Sequence, residues 1–192
     1  MKIGVLAIQG DFAEHITILH GLGVETQEVR LPHQLDDLGG LIIPGGESTT
    51  LSRLMTIYEL RGPIQKMASD GKAIWGTCAG MIMMASEITE KDPVPLGIMD
   101  ITVIRNAFGR QIDSFEQDLT VKSLDSLPYH AIFIRAPIIS RVGHEVEVLA
   151  ALSDGRAVAV QEKRLLATSF HPELTKDSRL HERFVSMASY SL

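Results

Sequence analysis

The order of apolar runs in the first half most constrains the fold. Ile3 to Ile8 is a continuous apolar run and reads as a strand buried on both faces. Asp11 is placed to cap the helix that follows, where Phe12, Ile16 and Leu19 recur at i, i+4, i+7 and Gly21 to Gly23 ends the turn. Val24 to Val29 alternates like a strand nearer a sheet edge. Leu41 to Ile43 is a short buried strand closed by Pro44-Gly45-Gly46. Ser48 or Thr49 is then expected to cap a helix with the stripe Leu51, Leu54, Met55 and Tyr58. A helix over about Pro63 to Ser69, a strand over Ala73 to Trp75 and a helical stretch from Ala79 complete the pattern. This alternation predicts an α/β, three-layer fold: a mostly parallel open sheet with helices on both faces.

The second half changes character. Segments around Ile98 to Ile104, Asp118 to Val121, Ala131 to Ile134, Val146 to Ala150, Ala157 to Gln161 and Leu165 to Ser169 are short and turn-separated. They predict antiparallel additions or hairpins. A last helix carries Leu180, Phe184 and Met187 at i, i+4, i+7. No repeat or long linker interrupts the chain, and 192 residues fit a single domain over 1–192.

Composition excludes several classes. The net charge is −6 and no basic cluster stands out, so nucleic acid is not the expected partner. The apolar run after Met1-Lys2 ends at Gln9-Gly10-Asp11, too short for a secretory core. No stretch approaches the roughly 20 apolar residues of a membrane helix. With one cysteine there is no intramolecular disulfide and no Cys-based zinc site, and a reducing cytoplasm is the expected compartment.

That cysteine is Cys78, in Gly76-Thr77-Cys78-Ala79-Gly80 between a strand and a helix. The form G-x-C-x-G is the cysteine version of the G-x-S-x-G nucleophile elbow. Small flanking residues let strand and helix approach, and the turn lifts the side chain above the carboxyl edge of the sheet. The helix N-terminus favours the reactive thiolate, and the Ala79 N–H would point at a developing oxyanion. The alternative is a buried structural cysteine beside a tight turn.

A nucleophile needs a base, and seven histidines compete: 15, 20, 33, 130, 144, 171 and 181. His15, His20 and His181 fall on helices among polar neighbours and read as solvated surface. His33, His130 and His144 fall in turn-like stretches without an acidic partner at a telling spacing, although Glu145 adjoins His144. His171 follows a strand and stands in His171-Pro172-Glu173, where Glu173 can accept from one ring nitrogen and leave the other for the thiol. The alternative is a turn with a buried histidine and a solvated glutamate. A zinc deaminase H-x-E pair fails for want of two further cysteines.

Pro44 to Thr50 also lies between strand and helix. It matches neither G-x-x-x-x-G-K-[ST] nor G-x-G-x-x-G, and Glu47 would repel phosphate. An oxyanion contribution from the Gly46 N–H fits better, with Glu47 suited to an ammonium group; a plain strand-to-helix turn is the other reading.

Together these pieces resemble the class I, triad-type glutamine amidotransferases. Gln9-Gly10, Pro44 to Thr50, Gly76 to Gly80, Arg105 to Gln111, Asp113 to Glu116, Phe133 to Pro137 and Ser169 to Leu174 are similar to one subgroup, the glutaminase subunits of pyridoxal 5′-phosphate synthase. The resemblance spans essentially the whole chain. Ala107 departs from it, since family members often carry serine there, and Glu87 to Pro95 has the character of a variable surface loop.

The resemblance implies the flavodoxin-like class I glutamine amidotransferase fold and a glutaminase. It implies that Cys78 attacks the glutamine amide, His171 shuttles the proton and Glu173 orients His171. Gly46 and Ala79 would hold the oxyanion. Gly46, Glu47, Ser48, Arg105, Ile134 and Arg135 would bind L-glutamine, with Arg105 preferred for the α-carboxylate. Gln9 would lie near the site at an interface. Ammonia would pass to a (β/α)₈-barrel synthase subunit in a larger hetero-oligomer, and activity would depend on that partner. No cofactor is implied; pyridoxal phosphate would be the partner's product.

Three other functions compete with this one. A glutaminase serving a different synthase, such as one for anthranilate or imidazole glycerol phosphate, is opposed by the Arg105 to Gln111 and Phe133 to Pro137 segments. A DJ-1/PfpI-type cysteine hydrolase shares the elbow, but its histidine typically lies close after the cysteine. A non-catalytic subunit that only shapes its partner is opposed by the intact Cys78, His171 and Glu173 set.

Overall fold

The computed structural model describes residues 1–105, 114–122 and 124–189. The landmark positions 106–111 and 113, with the Ala107 departure, lie outside the described residues. The first half runs β1 (Lys2–Leu6), α1 (Phe12–Gly21), β2 (Glu25–Val29), β3 (Gly40–Ile43), α2 (Ser48–Ile57), α3 (Arg61–Ser69), β4 (Ala73–Thr77) and α4 (Ala79–Met84). The second runs β5 (Ala85–Ile88), β6 (Met99–Ile104), β7 (Ser114–Leu119), β8 (Tyr129–Ile134), β9 (Ile138–Val142), β10 (Glu147–Ala151), β11 (Ala157–Glu162), β12 (Leu165–Thr168) and α5 (Arg179–Ser189).

Among the described residues ten strands form one sheet in the order β2-β1-β3-β4-β12-β11-β9-β6-β5, with β10 paired to β11, and β7 and β8 form a separate antiparallel pair. The five strands from β2 to β12 are parallel throughout. From β12 onward the pairings through β11, β9 and β6 are antiparallel. The sheet is therefore mixed, as predicted. One prediction needs extending: β12 forms the expected antiparallel hairpin with β11, but its other edge joins the parallel block, in register with β4 from Leu165↔Ile74 to Thr168↔Thr77. A four-residue apolar run cannot announce its partner, because its neighbour is 91 residues away in the chain. The pairing of β5 with β6 is also parallel, although Glu87 to Ile88 reads as loop in the sequence.

Helices cover both faces. Leu51 and Met55 of α2, Ile64 and Met67 of α3 and the methionines of α4 join one buried cluster. Leu19 of α1 and Leu180 and Phe184 of α5 join the other, together with Tyr129 and Phe133 from the β7–β8 pair. Leu180 and Phe184 are fully buried, each contributing about 1.5–3 kcal/mol by removal from water. Tyr58, counted in the predicted stripe of α2, is instead exposed at its C-terminal end. Among the described residues no helix is long and apolar enough to cross a membrane.

Candidate active site

The five parallel strands from β2 to β12 end on the same edge of the sheet, where open α/β sheets hold ligands. β1 leads into Gln9 to Asp11, β3 into Gly45 to Ser48, β4 into Cys78 and β12 into His171. β4 lies between β3 and β12, so the elbow, the glycine loop and the histidine turn are brought together by sheet order alone. The Cys78 N–H donates to the Thr168 carbonyl at 2.8 Å, tying the elbow to the end of β12.

Cys78 has φ 48° and ψ −103°, a left-handed conformation that a residue with a Cβ adopts only under strain, about 1–3 kcal/mol. The surroundings hold it there. A Cβ on Gly80 would stand 1.9 Å from the Ile43 carbonyl oxygen, so only glycine lets the start of α4 pass over β3. The thiol lies 3.9 Å from the Ile134 carbonyl oxygen. It lines a cleft of about 450 Å³ with Gln9, Asp11, Gly46, Glu47, Ser48, Ala79, Arg105, Ile134, Arg135 and His171. Clefts of about 640 and 760 Å³ elsewhere have no cysteine or histidine in their walls.

His171 is buried, its backbone N–H held by the Ile132 carbonyl at 2.8 Å. Its Nδ1 is 2.7 Å from Glu173 Oε1, a short charge-assisted bond, and its ring lines the same cleft as the Cys78 thiol. Burial pulls the imidazole toward neutrality, but Cys78 and Glu173 outweigh it and push its pKa up to about 10. Glu173 is buried too, which overturns the solvated-glutamate alternative; burial raises its carboxyl and His171 opposes that rise. Asp11 Oδ2 lies 3.6 Å from His171 Nδ1. Asp11 was expected to cap α1, yet it occupies the N-cap position without a side-chain cap bond, its carboxylate facing the histidine instead. Asp11, His171 and Glu173 are close enough to hold a metal ion, but the Nδ1–Oε1 bond already engages the histidine nitrogen they would share. On Gly45 a Cβ would meet the His171 ring at 2.5 Å, so this loop glycine makes room for the imidazole.

The expected caps of α2 also change. Glu47, not Ser48 or Thr49, is the N-cap, its carboxylate accepting from the Thr49 and Thr50 N–H groups at 3.1 and 2.7 Å. Slight burial raises its pKa, but the bonds from Thr49 and Thr50 prevail and hold it down at about 2. Arg105 NH2 lies 3.5 Å from Glu47 Oε1, while its NH1 donates to the Asp92 carbonyl at 2.6 Å and its Nε has no partner among the described residues. Gln9 Oε1 accepts from the Glu47 N–H at 3.1 Å, with its side chain against Gly46. Ile134 and Arg135 form the far wall, Arg135 at φ 42°.

Two histidines depart from the sequence expectation. His15 and His181 are not solvated surface but fully buried, and they bond to each other at 2.9 Å. Their spacing held the signal: His15 lies three residues after Phe12 and four before Leu19, and His181 three before Phe184, on the apolar faces of α1 and α5. His20 is exposed, as expected. His130 sits on β8 rather than in a turn, and pairs across the strands with Asp118 and Glu116 at 2.9 and 3.0 Å.

A parallel α/β sheet with a strained cysteine at a strand-to-helix elbow and a histidine held by a buried glutamate has the layout of the cysteine-triad amidotransferase class. Residues 5–190 match the SNO glutamine amidotransferase family, and the chain belongs to it. It is 57% identical over 190 residues to a protein named pyridoxal 5′-phosphate synthase subunit PdxT in Herpetosiphon aurantiacus, covering 97% of this chain and 100% of that one. It is 55% identical to the protein of the same name in Dehalococcoides mccartyi, covering 98% and 97%. A crystal structure of a glutamine amidotransferase superposes with a TM-score of 0.92 at 48% identity, over 98% of this chain and 99% of the other.

Proposed function

We propose that this chain is the glutaminase subunit of a pyridoxal 5′-phosphate synthase, hydrolysing L-glutamine and supplying ammonia to a synthase subunit. The observation that carries the reading is the charge layout of the cleft. Glu47 and Arg105 stand side by side on its wall, an acid for an α-ammonium and a base for an α-carboxylate, with the thiol of Cys78 in the same cavity. An amino acid held by that pair presents its side chain to the nucleophile. Gly46, Ser48, Ile134 and Arg135 complete the substrate wall.

In this mechanism the Cys78 sulfur, paired with protonated His171, attacks the amide carbon of glutamine. The tetrahedral oxyanion is received by the Gly46 and Ala79 N–H groups. The C–N bond breaks as His171 gives its proton to nitrogen, and ammonia leaves. Water, deprotonated by His171, then cleaves the thioester to release glutamate and restore the thiol. Glu173 keeps Nδ1 protonated so that Nε2 faces the sulfur through both halves. No cofactor takes part. The chain works as one domain, in the cytoplasm, against a (β/α)₈-barrel partner that consumes the ammonia. Gln9, at the open end of β1, faces that partner.

The test is glutamate release by the chain alone and mixed with a pyridoxal phosphate synthase subunit, beside Cys78→Ala. The mixture hydrolyses glutamine, and the variant loses at least about 10³-fold. Full activity in Cys78→Ala, or turnover stimulated only by an anthranilate or imidazole glycerol phosphate synthase, overturns the reading.

A further inference from the structure

Behind the His171–Glu173 pair lies a layer of buried polar groups that the mechanism above does not use. Glu173 Oε1 is taken by His171, whereas Oε2 is buried with no hydrogen-bond partner among the described residues. The nearest group it faces is His15 Nε2, 3.4 Å away. The same nitrogen is 3.4 Å from Thr77 Oγ1, on the residue before the nucleophile. On its other side His15 Nδ1 is 2.9 Å from His181 Nε2. Trp75 packs its ring edge-on against both imidazoles, at centroid distances of 5.8 and 4.9 Å.

The network selects one tautomer. If His15 carried its proton on Nδ1, its Nε2 lone pair would face a buried carboxylate oxygen, with only the Thr77 hydroxyl, 3.4 Å away, to donate to it among the described residues. His181 would then accept at Nε2 and carry its own proton on Nδ1, which has no partner among the described residues. That arrangement combines a repulsion with a buried unsatisfied N–H. With the proton on His15 Nε2 both faults vanish. His181 Nε2–H donates to His15 Nδ1, His15 Nε2–H lies 3.4 Å from both Thr77 Oγ1 and Glu173 Oε2, and only a lone pair on His181 is left over.

We infer that His15 is a positioning residue for the triad: its neutral imidazole, locked in the Nε2–H tautomer by His181, braces the free oxygen of Glu173. The inference rests on the glutaminase reading above. Burial, reinforced by His181 and His171, keeps His15 neutral, so what approaches Glu173 Oε2 at 3.4 Å is an uncharged imidazole and not the cation of an ion pair. The charged and titratable groups around the brace are Asp11 just before α1, Glu14 on α1, His171 and Glu173 beyond β12, and His181 on α5. Bracing at Oε2 fixes the carboxylate plane, and with it the Oε1 bond that aims His171 at Cys78. It also stabilises the ionised form of a carboxylate that burial would otherwise neutralise.

The experiment uses the full chain with a synthase subunit, comparing wild type, Cys78→Ala, His15→Leu and His15→Gln. A glutamine amide can place an N–H near the position of Nε2; leucine cannot. His15→Leu lowers kcat by about 10- to 100-fold with KM within about twofold, and moves the acid limb of the kcat profile to higher pH. His15→Gln recovers most of the rate and the wild-type limb. Equal losses in both variants, or a change confined to KM, overturn the inference. Nitrogen NMR of histidine-labelled wild type decides it independently of turnover. The expected signal is His15 protonated at Nε2 alone down to about pH 5; an Nδ1–H tautomer or a doubly protonated His15 near pH 6 overturns it. A wild type that hydrolyses no glutamine while the tautomer stands as stated defeats the proposed function and leaves the brace intact.

Discussion

The front and the back of the His171–Glu173 pair are built from opposite materials. In front stand Cys78, Asp11, Glu47 and Arg105, charged or chargeable groups that line the cleft, with Asp11 and Glu47 the more exposed and Cys78 buried in its wall. Behind stand His15, His181, Thr77 and Trp75, neutral and buried to the last atom. The front groups can exchange partners: Arg105 and Glu47 hold each other loosely at 3.5 Å, which a zwitterionic ligand can replace. The back groups have no solvent to exchange with, so their geometry is set once, at folding. The contrast separates recognition from alignment. Groups that must bind and release are screened and adaptable, while the groups that aim the base sit in low dielectric.

Glu173 touches both sides, so altering it gives the largest effect. Glu173→Gln preserves shape but leaves a single amide oxygen to accept where the carboxylate offers one to His171 and another to His15. We expect kcat to fall about 10²- to 10⁴-fold with the thermal midpoint little changed. A loss below tenfold would show that the carboxylate charge is not what aligns His171. Changing only the front is milder. Arg105→Met removes one charge-assisted contact, worth about 1.5–3 kcal/mol, and is expected to raise KM for glutamine about 10- to 100-fold with a smaller change in kcat. A kcat-only effect would move Arg105 from recognition to alignment.

The smallest effect is on stability against pH, where the two sides have opposite signs. Burial lowers the pKa of His15 well below 6.5 and that of His181 to about 3. The unfolded chain therefore binds protons below about pH 6.5 that the folded chain refuses, and stability drops on acidification by up to about 1.4 kcal/mol per pH unit for each histidine. His171, raised to about 10, contributes stability fully present below 6.5 and lost as pH rises through 10. Urea midpoints between pH 7.5 and 5.0 should fall, and His181→Phe should flatten that slope. An unchanged slope in the variant would mean that His181 is not buried neutral.

Much of the front was legible in the sequence. Gly76 to Gly80, Pro44 to Thr50 and His171-Pro172-Glu173 are local patterns whose chemistry follows from residue type and a turn, and the structure gathers all three in one cleft. The back was not. Polar neighbours on α1 and α5 disguised His15 and His181 as surface, although both stood on the apolar stripe. Caps were misassigned for a similar reason: Asp11 and Glu47 each had a local role open to them, and Glu47 took the cap while Asp11 turned to His171. Short-range rules rank what a side chain can do nearby, not what a distant strand will offer it.

The sequence by itself determined the alternation that builds a parallel sheet, the elbow that exposes Cys78, and the acid–base pair two residues apart. These depend on periodicity, small residues at tight turns and one proline, all local properties of the chain. Only the tertiary structure decided that β12 pairs with β4, setting His171 beside a cysteine from the middle of the chain. It also decided that α1 and α5 pack a pair of neutral histidines behind Glu173. Those outcomes depend on pairings between distant segments, where burial and the need to satisfy each buried polar atom, not local propensity, select the partner.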